Sequence, residues 1–137
     1  KNNLREEVVR VPLIIKSPAT EPSVNNSVVE LIDLFPTACH LVGIPKPDTI
    51  QGASLVPIIQ NDREKVKESA MSYTSRGTLI RTKEWAFMKY KDGSEELYDM
   101  IKDSEQFINL ASSPKHRKIL ADLRRQYRIK LNLTRSN

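Results

Sequence analysis

The sequence predicts an α+β fold in which a small antiparallel sheet of about four strands packs against a C-terminal helix. Between residues 69 and 98, segments with the composition of β-strands alternate with short polar or glycine-containing breaks. This is the pattern of an antiparallel meander. After residue 113, apolar residues recur at helical spacing, which indicates a helix with one buried face. Residues 8–42 combine a strand-like run with a helical pattern, which adds one strand and one helix before the meander.

The first predicted element is a strand over residues 8–15, VVRVPLII. A nearly continuous β-branched and aliphatic run is typical of a strand buried on both faces. Pro12 has no backbone N–H, so the strand either lies at a sheet edge or is interrupted there. The next residues, KSPATEPS, contain two prolines and small polar side chains, which predict a loop.

A helix is predicted from Ser27 to Val42. Ser27 and Glu30 have the spacing of a capping box, which would satisfy two amides at the helix start. Pro36 either kinks this helix or lies in the first turn of a second helix, which Asp33 would cap. Glycine at position 43 then ends the helical pattern.

The meander and the last helix supply the predicted core of the second half. Asp92-Gly93 marks its sharpest hairpin, because glycine tolerates the positive φ of a tight turn. The aromatic residues here indicate a core rather than a base-stacking platform for nucleic acid. They are Trp85, Phe87, Tyr90 and Tyr98. Ser113 and Pro114 begin the last helix, and its apolar stripe is Leu120, Leu123, Tyr127 and Leu131.

Charge is concentrated near the C-terminus. The chain carries a net charge of +5, but the stretch from Lys115 to Arg135 holds eight basic residues and one acidic residue. This stretch therefore carries +7 and the remainder −2. Such a basic helix is either a solvated outer face or a surface for nucleic acid or another polyanion, and the sequence leaves both open.

Several kinds of site are disfavoured by the residue inventory. Cys39 is the single cysteine, so neither an internal disulfide nor a cysteine cluster for a metal can form, and its apolar neighbours predict a buried, inert thiol. His40 and His116 are the only histidines and lack a matching acidic pair, which argues against a self-contained catalytic triad or metal site. No run of about 18 apolar residues predicts a membrane span.

Four segments, in order, resemble the C-terminal third of sulfatases of the alkaline-phosphatase-like superfamily. They are RVPLII at 10–15, VVELIDLFPTACHLVGI at 28–44, QGASLVPII at 51–59, and the stretch at 79–111 that ends in EQFINLA. The last phrase is similar to the iduronate-2-sulfatase-like branch. One departure is Ser104, which stands where the family usually has proline after the aspartate and should loosen that turn.

The resemblance implies that this chain is part of a larger enzyme that hydrolyses sulfate esters of sugars. Such enzymes use a formylglycine and a calcium ion, both held by the N-terminal catalytic part, which would be this chain's partner. Cys39 is followed by His40-Leu41-Val42 and does not match the formylglycine motif. Residues 1–60 would complete the large α/β domain of the parent, and residues 61–137 would form a small C-terminal subdomain.

Two substrate-binding residues are implied by the resemblance, and no catalytic residue or metal ligand. Lys1 lies eleven residues before Pro12, where the family has a lysine that donates to sulfate oxygens. Arg76, in SYTSRG, stands where the branch has an arginine near the substrate mouth. A solvated terminal lysine and a structural sheet-edge arginine are the alternatives for these two residues.

Other functional classes remain open at this point. The alternative function is a free-standing interaction module, or a polyanion- or nucleic-acid-binding domain that uses the basic helix. The resemblance itself predicts no nucleic acid and no membrane, and it implies a periplasmic, secreted or lysosomal location. The fragment alone is expected to bind neither calcium nor another cofactor and to be inactive.

Overall fold

A computed structural model of the chain describes residues 3–18, 20–60 and 65–135, the side chains of residues 134 and 135 excepted. The described residues form two compact units: one holds those up to Val11 and those from Ala70 onward, and the other runs from Pro12 to Ser69. We call them the sheet unit and the loop unit. The division at residue 60 concerns the domains of the parent enzyme and stays a prediction.

The helices and strands follow the predicted α+β order. The helices are α1 (Glu6–Val9), α2 (Leu34–Leu41), α3 (Val56–Ile59) and α4 (Arg117–Arg135). The strands are β1 (Ser69–Tyr73), β2 (Gly77–Thr82), β3 (Trp85–Tyr90) and β4 (Glu95–Asp99). Short 3-10 turns, Leu31–Asp33 and Pro114–His116, precede α2 and α4.

The four strands form one sheet in the order β1-β2-β3-β4, which confirms the predicted meander. Strands β2, β3 and β4 pair antiparallel, so that Ile80 faces Phe87 and Phe87 faces Leu97 across the sheet. Because side chains alternate between the two faces of a strand, these three residues lie on one face. Gly93 adopts φ +91° in the β3–β4 hairpin, as the Asp92-Gly93 pair predicts.

Helix α4 covers the face that carries Phe87. Leu120 and Leu123 are buried against this face, and the Tyr127 ring meets the Phe87 ring edge to face with centroids 6.4 Å apart. Edge-to-face packing brings the positive ring edge to the negative ring face and adds to the gain from burial. Three residues of the predicted apolar stripe, Leu120, Leu123 and Tyr127, thus form the contact that covers this face of the sheet.

The opposite face is covered by the first residues of the chain. Leu4 is fully buried there among Leu79, Met88 and Tyr98. Polar contacts fix this segment, because Glu6 accepts hydrogen bonds from the Arg81 guanidinium, the nearer at 3.0 Å. Both faces of the small sheet are therefore covered by the chain itself.

The strand predicted over residues 8–15 is wrong for this chain. Residues 6–9 form α1, and residues 10–17 have no regular structure. Val8 and Val9 donate their N–H groups to Arg5 O at 2.9 and 3.1 Å, so local turns replace ladder bonds. A strand requires a neighbour for its backbone groups, and none of the described strands lies alongside this segment. Ile14 is consequently 92% exposed rather than buried.

The predicted helix from Ser27 to Val42 begins later than expected. A 3-10 turn starts at Leu31, α2 starts at Leu34, and Pro36 lies in its first turn. The capping box uses Glu30 and Asp33 rather than Ser27 and Glu30. Proline is tolerated in a first turn because its missing N–H would have no partner within the helix.

Asp33 organises the loop unit from a completely buried position. Its carboxylate accepts the N–H groups of Glu30 and Ala53, both at 2.8 Å, and the Lys67 ammonium at 2.6 Å. Lys67 also pairs with the Glu30 carboxylate at 2.6 Å. One side chain thus joins three segments that are distant in sequence. Position 52, beside this cluster, requires glycine. A Cβ there would overlap the carbonyl oxygen of Ile32.

A polar loop covers the outer edge of β4. The Asn109 side-chain oxygen accepts the Leu97 N–H at 3.0 Å, and its NH2 donates to Glu95 O at 3.2 Å. Leu110 N–H donates to Leu97 O at 2.8 Å. The preceding turn is held by Asp103, whose carboxylate accepts two backbone N–H groups, those of Phe107 and Ile108.

Candidate functional site

Of the two predicted substrate-binding residues, Arg76 lies in the β1–β2 connection and Lys1 lies outside the described residues. The connection is held by Thr74. Its N–H donates to Gly77 O at 2.9 Å, and its hydroxyl oxygen accepts the N–H groups of Arg76 and Gly77, both at 3.2 Å. The backbone under Arg76 is therefore fixed. Its side chain is exposed and makes no ion pair with any described residue.

Lys91, which was not among the residues predicted from the sequence, is the cross-strand neighbour of Arg76. Gly77 pairs with Tyr90, and one residue further the Lys91 N–H donates to Arg76 O at 2.9 Å. Lys91 is likewise exposed and without an ion pair to the described residues. Like charges directly opposite each other in paired segments are destabilising, so the pairing itself does not explain two cations here. The pair thus forms an exposed cationic tip.

Two carboxylates of the β3–β4 hairpin, those of Asp92 and Glu95, are already bound to other groups. Glu95 on β4 accepts Lys89 at 3.0 Å and Arg124 at 2.5 Å. Burial raises the pKa of Glu95, but the hydrogen bonds and charges of Arg124 and Lys89 outweigh it, so the pKa lies below its usual value. Asp92 accepts the hydroxyl and the N–H of Ser94, which lowers its pKa as well. A ligand anion can therefore compete for Arg76 and Lys91.

The described residues do not fit the metal site or the nucleophile that the resemblance implies for the parent. Among them, no group of three or more His, Cys, Asp and Glu side chains is placed to hold a metal ion. Cys39 is buried in α2. His40 meets the Ser54 hydroxyl at 2.9 Å, and His116 meets that of Ser113 at 2.9 Å and packs against the Trp85 ring. Among the described residues, the hydrogen-bond partner of each histidine is thus a serine hydroxyl.

A family model described as "N-sulphoglucosamine sulphohydrolase, C-terminal" matches residues 1–132. The chain belongs to this family of sulfatase C-terminal domains. The match confirms the resemblance to sulfatases and spans both units. It also agrees with the covered four-stranded sheet, since solved structures of alkaline-phosphatase-like sulfatases share the fold.

Relatives with curated names support the same assignment. The chain is 35% identical over 133 residues to the Δ4,5-hexuronate-2-O-sulfatase of Bacteroides thetaiotaomicron, covering 87% of the chain and 28% of that enzyme. It is 28% identical to arylsulfatase K of Bos taurus, covering 82% of the chain and 24% of that protein. This sulfatase C-terminal domain therefore spans about a quarter of the length of these relatives.

A solved structure of a 2-O GAG sulfatase matches the domain with a TM-score of 0.64 and 33% identity, covering 76% of this chain and 24% of that one. These matches give no support to the alternative functions of the whole chain, a free-standing interaction module or a polyanion- or nucleic-acid-binding domain. The iduronate-2-sulfatase-like assignment stays a prediction, because the relatives carry several sulfatase names. In the part of the chain that the structure describes, no helix has the length and apolar character of a membrane span.

Proposed function

We propose that this domain is the C-terminal part of an enzyme that hydrolyses sulfate esters of sugars, in the manner of iduronate-2-sulfatase-like enzymes. The observation that carries the proposal is the family match over residues 1–132, together with the 35% identity to a hexuronate-2-O-sulfatase. By the same resemblance, the enzyme is periplasmic, secreted or lysosomal. The substrate class is a sulfated carbohydrate.

The chemistry would be divided between two parts of the polypeptide. An N-terminal catalytic part would supply the formylglycine nucleophile and the oxygen ligands for calcium, a hard cation suited to carboxylates. The C-terminal domain would complete the hydrophobic core of the parent enzyme. Exposed apolar side chains in the loop unit support this division, because isolated surfaces seldom leave so many uncovered. They include Ile14, Val24, Leu31, Val42 and Ile44, each at least 60% exposed.

Arg76 and Lys1 would contact the anionic groups of the sugar. A guanidinium offers a planar pair of N–H donors that matches a sulfate or carboxylate, and a lysine ammonium places a compact charge on a sulfate oxygen. The fixed turn under Arg76 and its unpaired side chain support this role. Lys91, directly opposite, would add a second positive charge at the same anion.

The test is sulfate release by the complete enzyme, with a 2-O-sulfated Δ4,5-hexuronate disaccharide as substrate and ion chromatography as the readout. Replacing a charge-assisted hydrogen bond to substrate costs roughly 1.5 kcal/mol, so Arg76→Gln should raise KM about tenfold with little change in kcat. Lys83→Gln, which removes another exposed charge of the sheet unit, is the matched control. Lys1→Met should lower kcat by about a hundredfold, because it removes a donor to the transition state.

The outcomes separate the parts of the proposal. Failure of the complete enzyme to release sulfate from any sulfated sugar would overturn the proposed reaction. If sulfate is released but Arg76→Gln and Lys83→Gln behave alike, the reaction stands and the role of Arg76 is wrong. A Lys1→Met enzyme with unchanged kcat would remove Lys1 from the substrate-binding residues.

A further inference from the structure

Helix α4 carries most of its charge on one flank. Arg117, Arg124 and Arg128 are spaced by seven and four residues, so they lie on the same side of a helix that turns every 3.6 residues. Lys118 and Arg125 form a second row beside them, also seven residues apart. We call these five residues the α4 basic surface. All five are exposed, whereas the apolar stripe of the same helix is buried against the sheet.

The α4 basic surface is held in place at its centre. Arg124 donates to the Glu95 carboxylate of β4 through Nε at 3.0 Å and through a terminal nitrogen at 2.5 Å. A two-point bond of this kind fixes the guanidinium in direction as well as position. Burial of Leu120 and Leu123 on the sheet fixes the rotation of the helix itself. The charges around Arg124 therefore project from a rigid support.

Most of the remaining cations are not neutralised. Arg125 pairs with Asp122, the single acidic side chain of the helix, at 2.6 Å. Arg117, Lys118 and Arg128 make no ion pair with the described residues. Like charges close together on one helix reduce its stability, so this arrangement is not explained by folding. An anion bound along the row would relieve the repulsion.

We infer that the α4 basic surface binds an extended sulfated polysaccharide. The distance from Arg117 to Arg128 is about 16 Å along the helix axis at 1.5 Å per residue, which exceeds one sugar and fits successive charged units of a polymer. The choice of polymer rests on the proposed function, because an enzyme acting on sulfated sugars meets such chains. Binding would keep the enzyme on a polymeric substrate between reactions.

A sulfated polysaccharide fits this surface better than a nucleic acid. Proteins that bind single strands combine a basic groove with aromatic side chains on which bases stack. The aromatic residue of α4 is Tyr127, and its ring is directed into the sheet against Phe87. The flank itself presents guanidinium and ammonium groups around the small side chain of Ala121. A sulfate-bearing chain needs only such cations and no stacking platform.

The test measures binding of the 137-residue chain to a size-defined heparin oligosaccharide by fluorescence anisotropy, at several salt concentrations. The variant Arg117→Gln/Lys118→Gln/Arg128→Gln removes the three unpaired cations. The matched control, Arg10→Gln/Lys83→Gln/Lys102→Gln, removes three exposed charges elsewhere and changes the net charge equally. A single-stranded DNA of equal charge is the second probe.

The α4 variant should lose at least tenfold in heparin affinity, and the control variant less than twofold. Counterion release predicts that the slope of log K against log salt becomes shallower by roughly two to three, since each of the three lost contacts contributes roughly 0.7 to 0.9. The charge-retaining variant Arg117→Lys/Arg128→Lys should keep most of the affinity, which separates lost charge from lost folding. Circular dichroism and thermal melting of all variants serve as the folding measurements.

Equal losses in the α4 and control variants would overturn the inference, since net charge alone would then explain binding. Tighter binding of DNA than of heparin would also overturn it and would assign the surface to nucleic acid. The readout is independent of catalysis: absent sulfate release would defeat the proposed function, whereas heparin affinity decides the role of α4. In an active enzyme, the α4 variant should raise KM for polymer and leave KM for a disaccharide unchanged.

Discussion

The sheet unit and the loop unit of this sulfatase domain are ordered by different means. In the sheet unit, apolar side chains fill both faces of a four-stranded sheet, and residues such as Phe87, Leu97 and Ile80 are fully buried. In the loop unit, a buried carboxylate at Asp33 joins segments with little regular structure, while side chains such as Ile14 remain exposed.

The difference shows which part of the domain can be stable by its own packing. Burial of apolar area stabilises wherever a sheet has both faces covered, and the sheet unit meets that condition within this chain. The loop unit depends on a polar cluster whose strength comes from complete satisfaction of buried groups. Four substitutions, from the largest expected effect to the smallest, test this division.

Phe87→Ala should have the largest effect. Truncating a fully buried phenylalanine costs about 3–5 kcal/mol, and loss of the edge-to-face contact with Tyr127 adds about 1 kcal/mol. Hydrogen exchange should show the amides of β2, β3 and β4 losing protection together. Phe107→Ala is the control, because the Phe107 side chain is 83% exposed and its removal should change little. Similar losses in both variants would contradict the packing account.

Asp33→Ala should destabilise the loop unit selectively. It removes the acceptor of the Glu30 and Ala53 amides and one of the two carboxylates that bind the Lys67 ammonium, at a cost of about 3 kcal/mol. Partial exposure of the Lys67 side chain, 14%, keeps the cost at the lower end for a broken buried pair. Hydrogen exchange should rise at Ala53 and remain unchanged in the strands. The control, Asp48→Ala, removes an exposed carboxyl and should leave the amides of both units protected from exchange. Faster exchange across the sheet in Asp33→Ala would show that the two units are not independent.

Gly52→Ala should cost about 2 kcal/mol by overpacking, because the new methyl group would overlap backbone atoms of Ile32 that cannot rotate away. Gly43→Ala provides the comparison. Gly43 has φ +71° but no atom within 4 Å of a Cβ, so the cost there is backbone strain alone, about 1 kcal/mol. Urea unfolding followed by a probe in the loop unit gives both values. A smaller loss for Gly52→Ala than for Gly43→Ala would mean that this backbone yields easily.

Glu95→Gln should have the smallest effect, up to about 1 kcal/mol, because its partner Arg124 is about half exposed. The pKa of Glu95 is lowered in the folded chain, so its contribution is present above the ordinary glutamate pKa and is lost as the pH falls through the lowered value. Thermal melting from neutral to acidic pH should therefore fall less steeply in the variant. Glu105→Gln, at an exposed position, should show the same dependence of melting temperature on pH as the unsubstituted chain.

The sheet unit was predictable from sequence because local pattern and tertiary burial coincide there. The alternation around Phe87 and the stripe through Leu120 and Leu123 describe the same interface from its two sides. The loop unit was less predictable. Its helix start uses the capping box of Glu30 and Asp33, and both carboxylates also bind Lys67, which lies 34 residues beyond Asp33 and outside any local capping pattern.

The remaining differences have equally physical causes. A strand over residues 8–15 was predicted from composition, but pairing is non-local and the described strands leave that segment unpaired. Arg76 was placed by resemblance, whereas Lys91 becomes visible only through the register of β2 against β3. The short turn between β2 and β3 could have suggested that Lys91 lies opposite Arg76, since short turns fix the register of a meander.

The loop that ends in Asn109 has a consequence for solubility. Strand β4 lies at the border of the sheet, and a bare border offers unpaired N–H and C=O groups to strands of other molecules. Asn109 and Leu110 occupy those groups at Glu95 and Leu97 with three hydrogen bonds. The Asn109 amide thereby blocks edge-to-edge pairing of β4 with strands of other molecules. Loss of this side chain would favour intermolecular β-pairing even where the fold itself survives.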